Sequence, residues 1–118
     1  MKKLVILLSG LLFFASIIIL PSCNSEEVTV GILVVKVIDA DGNPLANELL
    51  MLASSYENLK AANYTGSKWT DQDGEVLFMD LTPGYYWYDT EHWEDWGAVQ
   101  TYAGIEIFVT LQVNTPQP

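Results

Sequence analysis

The chain has 118 residues, with fifteen acidic against five basic side chains, no arginine and a formal net charge of −10. That balance excludes a nucleic-acid interface, which needs a basic face, and disfavours direct adhesion to anionic headgroups. A single cysteine, Cys23, leaves no pair for an internal disulfide, so any folded part rests on burial and hydrogen bonding.

The N-terminus opens with Lys2 and Lys3, followed by the apolar run Leu4 to Leu20, broken only by Ser9, Gly10 and Ser16. A positive start, an apolar stretch and a small residue at the end make an export signal. The alternative is an uncleaved membrane helix, for which seventeen residues is at the short edge of what spans a hydrocarbon core. Leu20-Pro21-Ser22-Cys23 resembles the lipobox of bacterial lipoproteins. The resemblance implies cleavage before Cys23 and a covalent lipid on that residue, with thioether-linked diacylglycerol and an acyl chain such as palmitate on the new amino group. Two or more acyl chains anchor stably, so the mature protein is expected to be tethered to a membrane rather than to span it. Removing residues 1–22 leaves 96 residues with three lysines and all fifteen acids, a net charge of −12. That is room for one domain with a modest core. The expected division is a signal over 1–22, a lipidated tether over 23–28, a β-sandwich over 29–114 and a tail over 115–118.

Asn24-Ser25-Glu26-Glu27 is short and polar. It is similar to the surface-export signals of some Bacteroidetes lipoproteins, which implies the outer membrane and its outer face. Val28 to Ile38 carries Val and Ile on both faces, as a strand buried on both sides or near a sandwich centre does. Asp39-Ala40-Asp41-Gly42-Asn43-Pro44 is a dense turn signal. Glu48 to Ala53 reads as a second strand. Ser54 to Tyr64 is open between a loop and a short helical turn bearing Tyr56, Leu59 and Lys60. Ser67 to Thr70 and Glu75 to Asp80, joined by Asp71-Gln72-Asp73-Gly74, predict a hairpin. Leu81-Thr82-Pro83-Gly84 is a turn, Tyr85 to Thr90 an aromatic strand, Glu91 to Gly97 a loop and Ala98 to Tyr102 a further strand. In the last strand Ile105, Ile107, Val109, Leu111 and Val113 alternate with Glu106, Thr110, Gln112 and Asn114, the period of a half-buried strand that only Phe108 interrupts. Thr115 to Pro118 reads as a frayed end. About seven short strands with frequent turns predict an all-β, antiparallel, seven-stranded sandwich.

Val35-Lys36-Val37-Ile38-Asp39-Ala40-Asp41-Gly42-Asn43-Pro44-Leu45, Thr70 to Phe78 and Leu81 to Tyr86 resemble the carboxypeptidase regulatory-like domains. The resemblance spans roughly residues 30 to 113 and implies a transthyretin-like, Ig-like sandwich with no catalytic residues. In that register Val76, Phe78, Leu81, Tyr86 and Tyr88 point inward, and Tyr85 and Trp87 outward. The related Cna-B module of surface adhesins carries a Lys–Asn isopeptide bond assisted by a buried acid. Lys36 and Asn114 invite that comparison, but the lysine and acid positions fall on Val37 and Thr90, and a one-residue slip points a side chain to the opposite face.

The two Asp-x-Asp-Gly segments lack the oxygen set and closing glutamate of a calcium loop, so turn chemistry accounts for them and no metal is expected. His92, the only histidine, reads as a loop residue beside Glu91 and Trp93. No catalytic residues, and no cofactor beyond the lipid on Cys23, are expected. Half of the fourteen aromatic residues crowd into Tyr85 to Tyr102. Two readings stand: large rings filling a small core, or an exposed ligand-binding patch of Tyr85, Trp87, Trp93 and Trp96 flanked by Glu91, Glu94 and Asp95. The sequence therefore predicts a non-catalytic, lipid-anchored interaction or accessory module of the bacterial envelope, with an envelope protein or a glycan as partner. A carbohydrate-binding module using the aromatic patch is the alternative.

Overall fold

The computed structural model describes residues 27–118; Cys23, the apolar run and most of the tether lie outside the described residues. The described chain runs β1 (Gly31–Ile38), β2 (Leu49–Ala53), α1 (Tyr56–Lys60), β3 (Gly66–Trp69), β4 (Glu75–Leu81), β5 (Gly84–Thr90), β6 (Gly97–Thr101) and β7 (Glu106–Gln112). These strands form a three-stranded sheet ordered β4-β1-β7 and a four-stranded sheet ordered β3-β2-β5-β6. Among the described residues no helix is long and apolar enough to cross a membrane.

Alternation builds the space between the sheets. Leu33, Val35 and Val37 of β1, Leu50 and Leu52 of β2, and Tyr86 and Tyr88 of β5 point into one buried cluster. Val76, Phe78 and Leu81 join it from β4, and Leu111 and Val113 from β7 and its end. The five inward positions expected from the middle of the chain are thus buried, and Tyr85 on the same strand faces out. Tyr86 keeps its hydroxyl satisfied by donating to the Thr82 carbonyl at 2.6 Å.

The two acidic turns share one construction. The Asp39 carboxylate accepts the N–H groups of Asp41 and Asn43, and that of Asp71 accepts those of Asp73 and Glu75, all at 2.9 Å. Gly42 and Gly74 take φ of 87° and 75°, a conformation that costs glycine nothing. Gly74 is the stricter position, because a Cβ there would lie 2.6 Å from the Val37 carbonyl oxygen. Asp71→Ala releases two backbone donors at once, and a drop of about 1–2 kcal/mol is expected. A urea midpoint unchanged within error would contradict that role.

Three expectations change. The segments flanking Asp71 to Gly74 do not pair as a hairpin: β3 pairs antiparallel with β2, and β4 pairs antiparallel with β1. The turn is a corner between sheets, because Val76 and Phe78 find their apolar partners beside Val35 and Leu33 rather than beside β3. A cleft of about 380 Å³ opens where the two strands part, and Lys68 Nζ spans the gap to the Leu77 carbonyl at 2.9 Å. Second, the sandwich is not wholly antiparallel, since β7 lies parallel to β1, Ile32 opposite Glu106 through Ile38 opposite Gln112. The chain arrives from β6 in the other sheet, so no tight turn enforces a reversal. Third, residues 115–118 are not a free end. The Asp95 carboxylate takes the N–H groups of Asn114 and Thr115, Gln117 N–H donates to the His92 carbonyl, and the Gln117 side-chain amide donates to the Trp93 carbonyl.

Lys36 lies on the outward face of β1, opposite Glu75 and Thr110, while Val37 is in the core and Asn114 is exposed beyond β7. The register that argued against an isopeptide bond is the register found.

Candidate functional site

The outer face of the four-stranded sheet carries the chemistry. Ser55 starts α1 by accepting the Asn58 N–H at 3.0 Å. The helix then lays Leu59 on Met51 and Ala53, whose side chains leave β2 on the face away from the core. Trp87 packs against the same small cluster from β5, and Tyr85 lies 6.3 Å from it, ring centroid to centroid. Tyr56 of α1 meets Trp96 of the loop before β6 at 5.2 Å, with planes tilted by 56°. Lys60 Nζ sits 5.5 Å from the centroid of the Tyr56 ring. Two tilted aromatic pairs thus border α1, and Tyr85 and Trp96 keep 59% and 47% of their surface exposed.

Asp89 follows Tyr85 and Trp87 in the same alternation and stands opposite Met51 of β2. It is only 5% exposed. Its carboxylate accepts the Thr90 N–H at 2.7 Å and lines a cavity of about 280 Å³ with Lys60, Tyr64 and Gln117. Burial pushes the Asp89 carboxyl up to about 6, against the opposing pull of the Thr90 N–H and Lys60; Asp95 and Glu94 add repulsion in the same direction as burial. A buried acid that takes up its proton already as pH falls through about 6 can donate as well as accept a hydrogen bond under mildly acidic conditions. Beside it, the Lys60 ammonium, the Tyr64 hydroxyl and the Gln117 amide supply further donors and acceptors. This is chemistry for holding a hydroxylated or otherwise polar group against rings.

Asp89 also gives a pH signature. The folded state holds its proton more tightly than the unfolded chain, whose carboxyl titrates near 3.8. The destabilisation from a charged Asp89 is therefore present above pH 6, shrinks as pH falls through about 6, and is gone below the unfolded value. Asp89→Asn is expected to stabilise the domain by about 1–2 kcal/mol at pH 8 and to match the wild type at pH 3.5. Thermal melts across that range check this, and a pH-independent difference would contradict it.

Of the residues singled out in the sequence, Tyr85, Trp87 and Trp96 belong to this face. Trp93 does not: its ring packs against the interior cluster, its indole N–H is buried without a partner among the described residues, and the residue bridges to Pro116. The aromatic segment is thus divided, with Tyr86 and Tyr88 in the core and Tyr85, Trp96 and Tyr102 exposed. His92 is an exposed loop residue whose Nδ1 lies 3.1 Å from a Glu48 carboxylate oxygen. The sequence alone does not single out Tyr56, Lys60, Tyr64, Asp89 or Gln117 as site residues. Asp89 has a signal, since it shares the period-two face of Tyr85 and Trp87; the others reach the site through the placement of α1 and the tail.

No protein-family model matches the chain, and no curated protein does. Solved structures are similar in fold. The major pilin subunit of Bacillus cereus superposes with a TM-score of 0.59 at 15% identity, covering 74% of this chain and 30% of the pilin. A putative carbohydrate binding protein from Pseudomonas aeruginosa gives 0.55 at 17% identity, covering 75% of this chain and 91% of its own. A DUF3823 family protein from Parabacteroides merdae gives 0.54 at 24% identity, covering 76% and 48%. The chain therefore spans under half of the pilin and of the Parabacteroides protein, and the likeness is one of fold, an Ig-like β-sandwich.

Proposed function

We propose that this chain is a non-catalytic recognition module, held at the bacterial envelope by lipid on Cys23 and reading its partner with the outer face of the four-stranded sheet. The observation that carries the reading is one sheet face that holds the ring pairs Tyr85–Trp87 and Tyr56–Trp96, with Tyr85, Tyr56 and Trp96 exposed, together with a separate cavity lined by Asp89, Lys60, Tyr64 and Gln117. Rings exposed to water on one face of a small domain suit a partner surface better than they suit stability. The lipobox-like Leu20-Pro21-Ser22-Cys23 supports the anchor, and the acidic tether supports the outer membrane. The fold likeness to pilin domains fits a place at the cell surface.

A glycan is the ligand class with a specific observation in its favour. Ring faces stack on sugar C–H groups, and the Asp89–Lys60–Tyr64–Gln117 cavity offers hydrogen bonds beside them. The P. aeruginosa neighbour, a putative carbohydrate binding protein, fits the same reading. A glycan array probed with wild type, Trp87→Ala and Trp96→Ala tests it. Binding by wild type that both variants lose supports a glycan ligand. If no glycan binds, and an envelope protein is recovered by wild type but not by the variants, the partner is protein. Recovery that is indifferent to both substitutions would overturn the site.

A further inference from the structure

The outer face of the three-stranded sheet is also apolar, from the middle of its strands toward the end where the tether enters. Leu77, Val34 and Phe108 stand in one row across β4, β1 and β7, all pointing away from the core, and Phe108 is 69% exposed. Met79 follows Leu77 toward the start of β1, where β4 bulges against Ile32. Val28, 64% exposed, stands where the chain enters the domain. At the other end of the same strands lie the acidic turns of Asp39, Asp41, Asp71 and Asp73. The two ends are thus polarised, apolar where the tether enters and anionic where it is farthest away.

We propose that the tether-side part of this face, centred on Phe108 and Met79, lies against the lipid surface to which the chain is anchored. The inference deepens the envelope reading and rests on the lipid at Cys23. Tether length commits the apolar face to that occupant. Val28 stands five residues beyond Cys23, a reach of about 18 Å at full extension. The apolar end therefore never leaves the neighbourhood of the headgroups, whereas a protein partner must compete for it. Charge sets the same orientation, because an anionic leaflet repels the acidic turns. Glu106 and Asp80 edge the patch and keep the contact shallow, at headgroup depth rather than in the acyl core. With that face on the lipid, the outer face of the four-stranded sheet, which carries Trp87 and Trp96, lies on the opposite side of the sandwich and points away from the membrane.

The full lipidated chain, purified from membranes and reconstituted in phosphatidylethanolamine–phosphatidylglycerol vesicles, tests this. Because Cys23 is the only native cysteine and its sulfur carries the lipid, Phe108→Cys, Met79→Cys and Asp73→Cys each accept one environment-sensitive fluorophore. Doxyl-labelled lipids are expected to quench the probes at 108 and 79 several-fold more than the probe at 73. Adding Phe108→Asp should abolish quenching at 79 while the protein still floats with the vesicles. Equal quenching at all three positions in floating protein would overturn the orientation alone. Protein that does not float would overturn the anchor, and the orientation with it.

Discussion

Leu52→Ala is expected to lower the unfolding free energy of the domain by about 3 kcal/mol, the middle of the range for emptying a well-packed leucine site. Leu52 of β2 is fully buried, opposite Tyr88 on one side and Gly66 on the other. Its neighbours on both edges are held by sheet hydrogen bonds, so the site cannot collapse to fill the space. A domain of this size has about 5–15 kcal/mol to lose, and without a disulfide nothing else limits the unfolded chain. Urea unfolding at constant slope measures the change. A loss below about 1 kcal/mol would mean that the interior is looser than the packing described.

The second large effect comes from adding one carbon. Gly97 opens β6 directly opposite Tyr88, and a Cβ there would lie 2.5 Å from the ring's Cζ and hydroxyl oxygen. Tyr88 is buried between the sheets and cannot swing aside without displacing its neighbours. Gly97→Ala is therefore expected to cost about 2–3 kcal/mol, an overpacking penalty. Gly66→Ala is the matched control in the same sheet, since its Cβ would meet nothing nearer than the Phe78 ring at 3.7 Å. That substitution is expected to change stability by less than about 0.5 kcal/mol. Equal losses at the two glycines would show that strand propensity, not contact with Tyr88, governs both.

These positions also show how far the sequence can be read. Alternation along residues 76–88 places Val76, Phe78, Tyr86 and Tyr88 inside and Tyr85 outside, because a strand with one buried face has only one workable register. The Asp-x-Asp-Gly turns are equally legible, since their carboxylates act on amides close by in the chain. Pairing across those turns is not. Whether two strands joined by a short turn stay in one sheet depends on where their apolar faces find partners, and β4 finds its own on β1, far back in the chain. The parallel return of β7 has the same non-local origin. Trp93 resembles Trp87 and Trp96 in its acidic, aromatic surroundings, but Pro116 and Gln117 tie its loop to the chain end, and that tie turns the ring inward. Tyr56, Lys60 and Gln117 enter the site from segments with no periodic signal.

The central claim about this protein is that the outer face of the four-stranded sheet is the surface that meets a partner. A photo-activatable phenylalanine analogue in place of Tyr85 or Trp96, in the full chain in living cells, interrogates that face whatever the ligand proves to be. Illumination is expected to give a discrete higher-mass adduct from positions 85 and 96, and none when the same group replaces Asp41 or Asp73 in the acidic turns. Adducts from the turns, with none from 85 or 96, would place recognition at the acidic turns instead of on the outer sheet face and contradict the account.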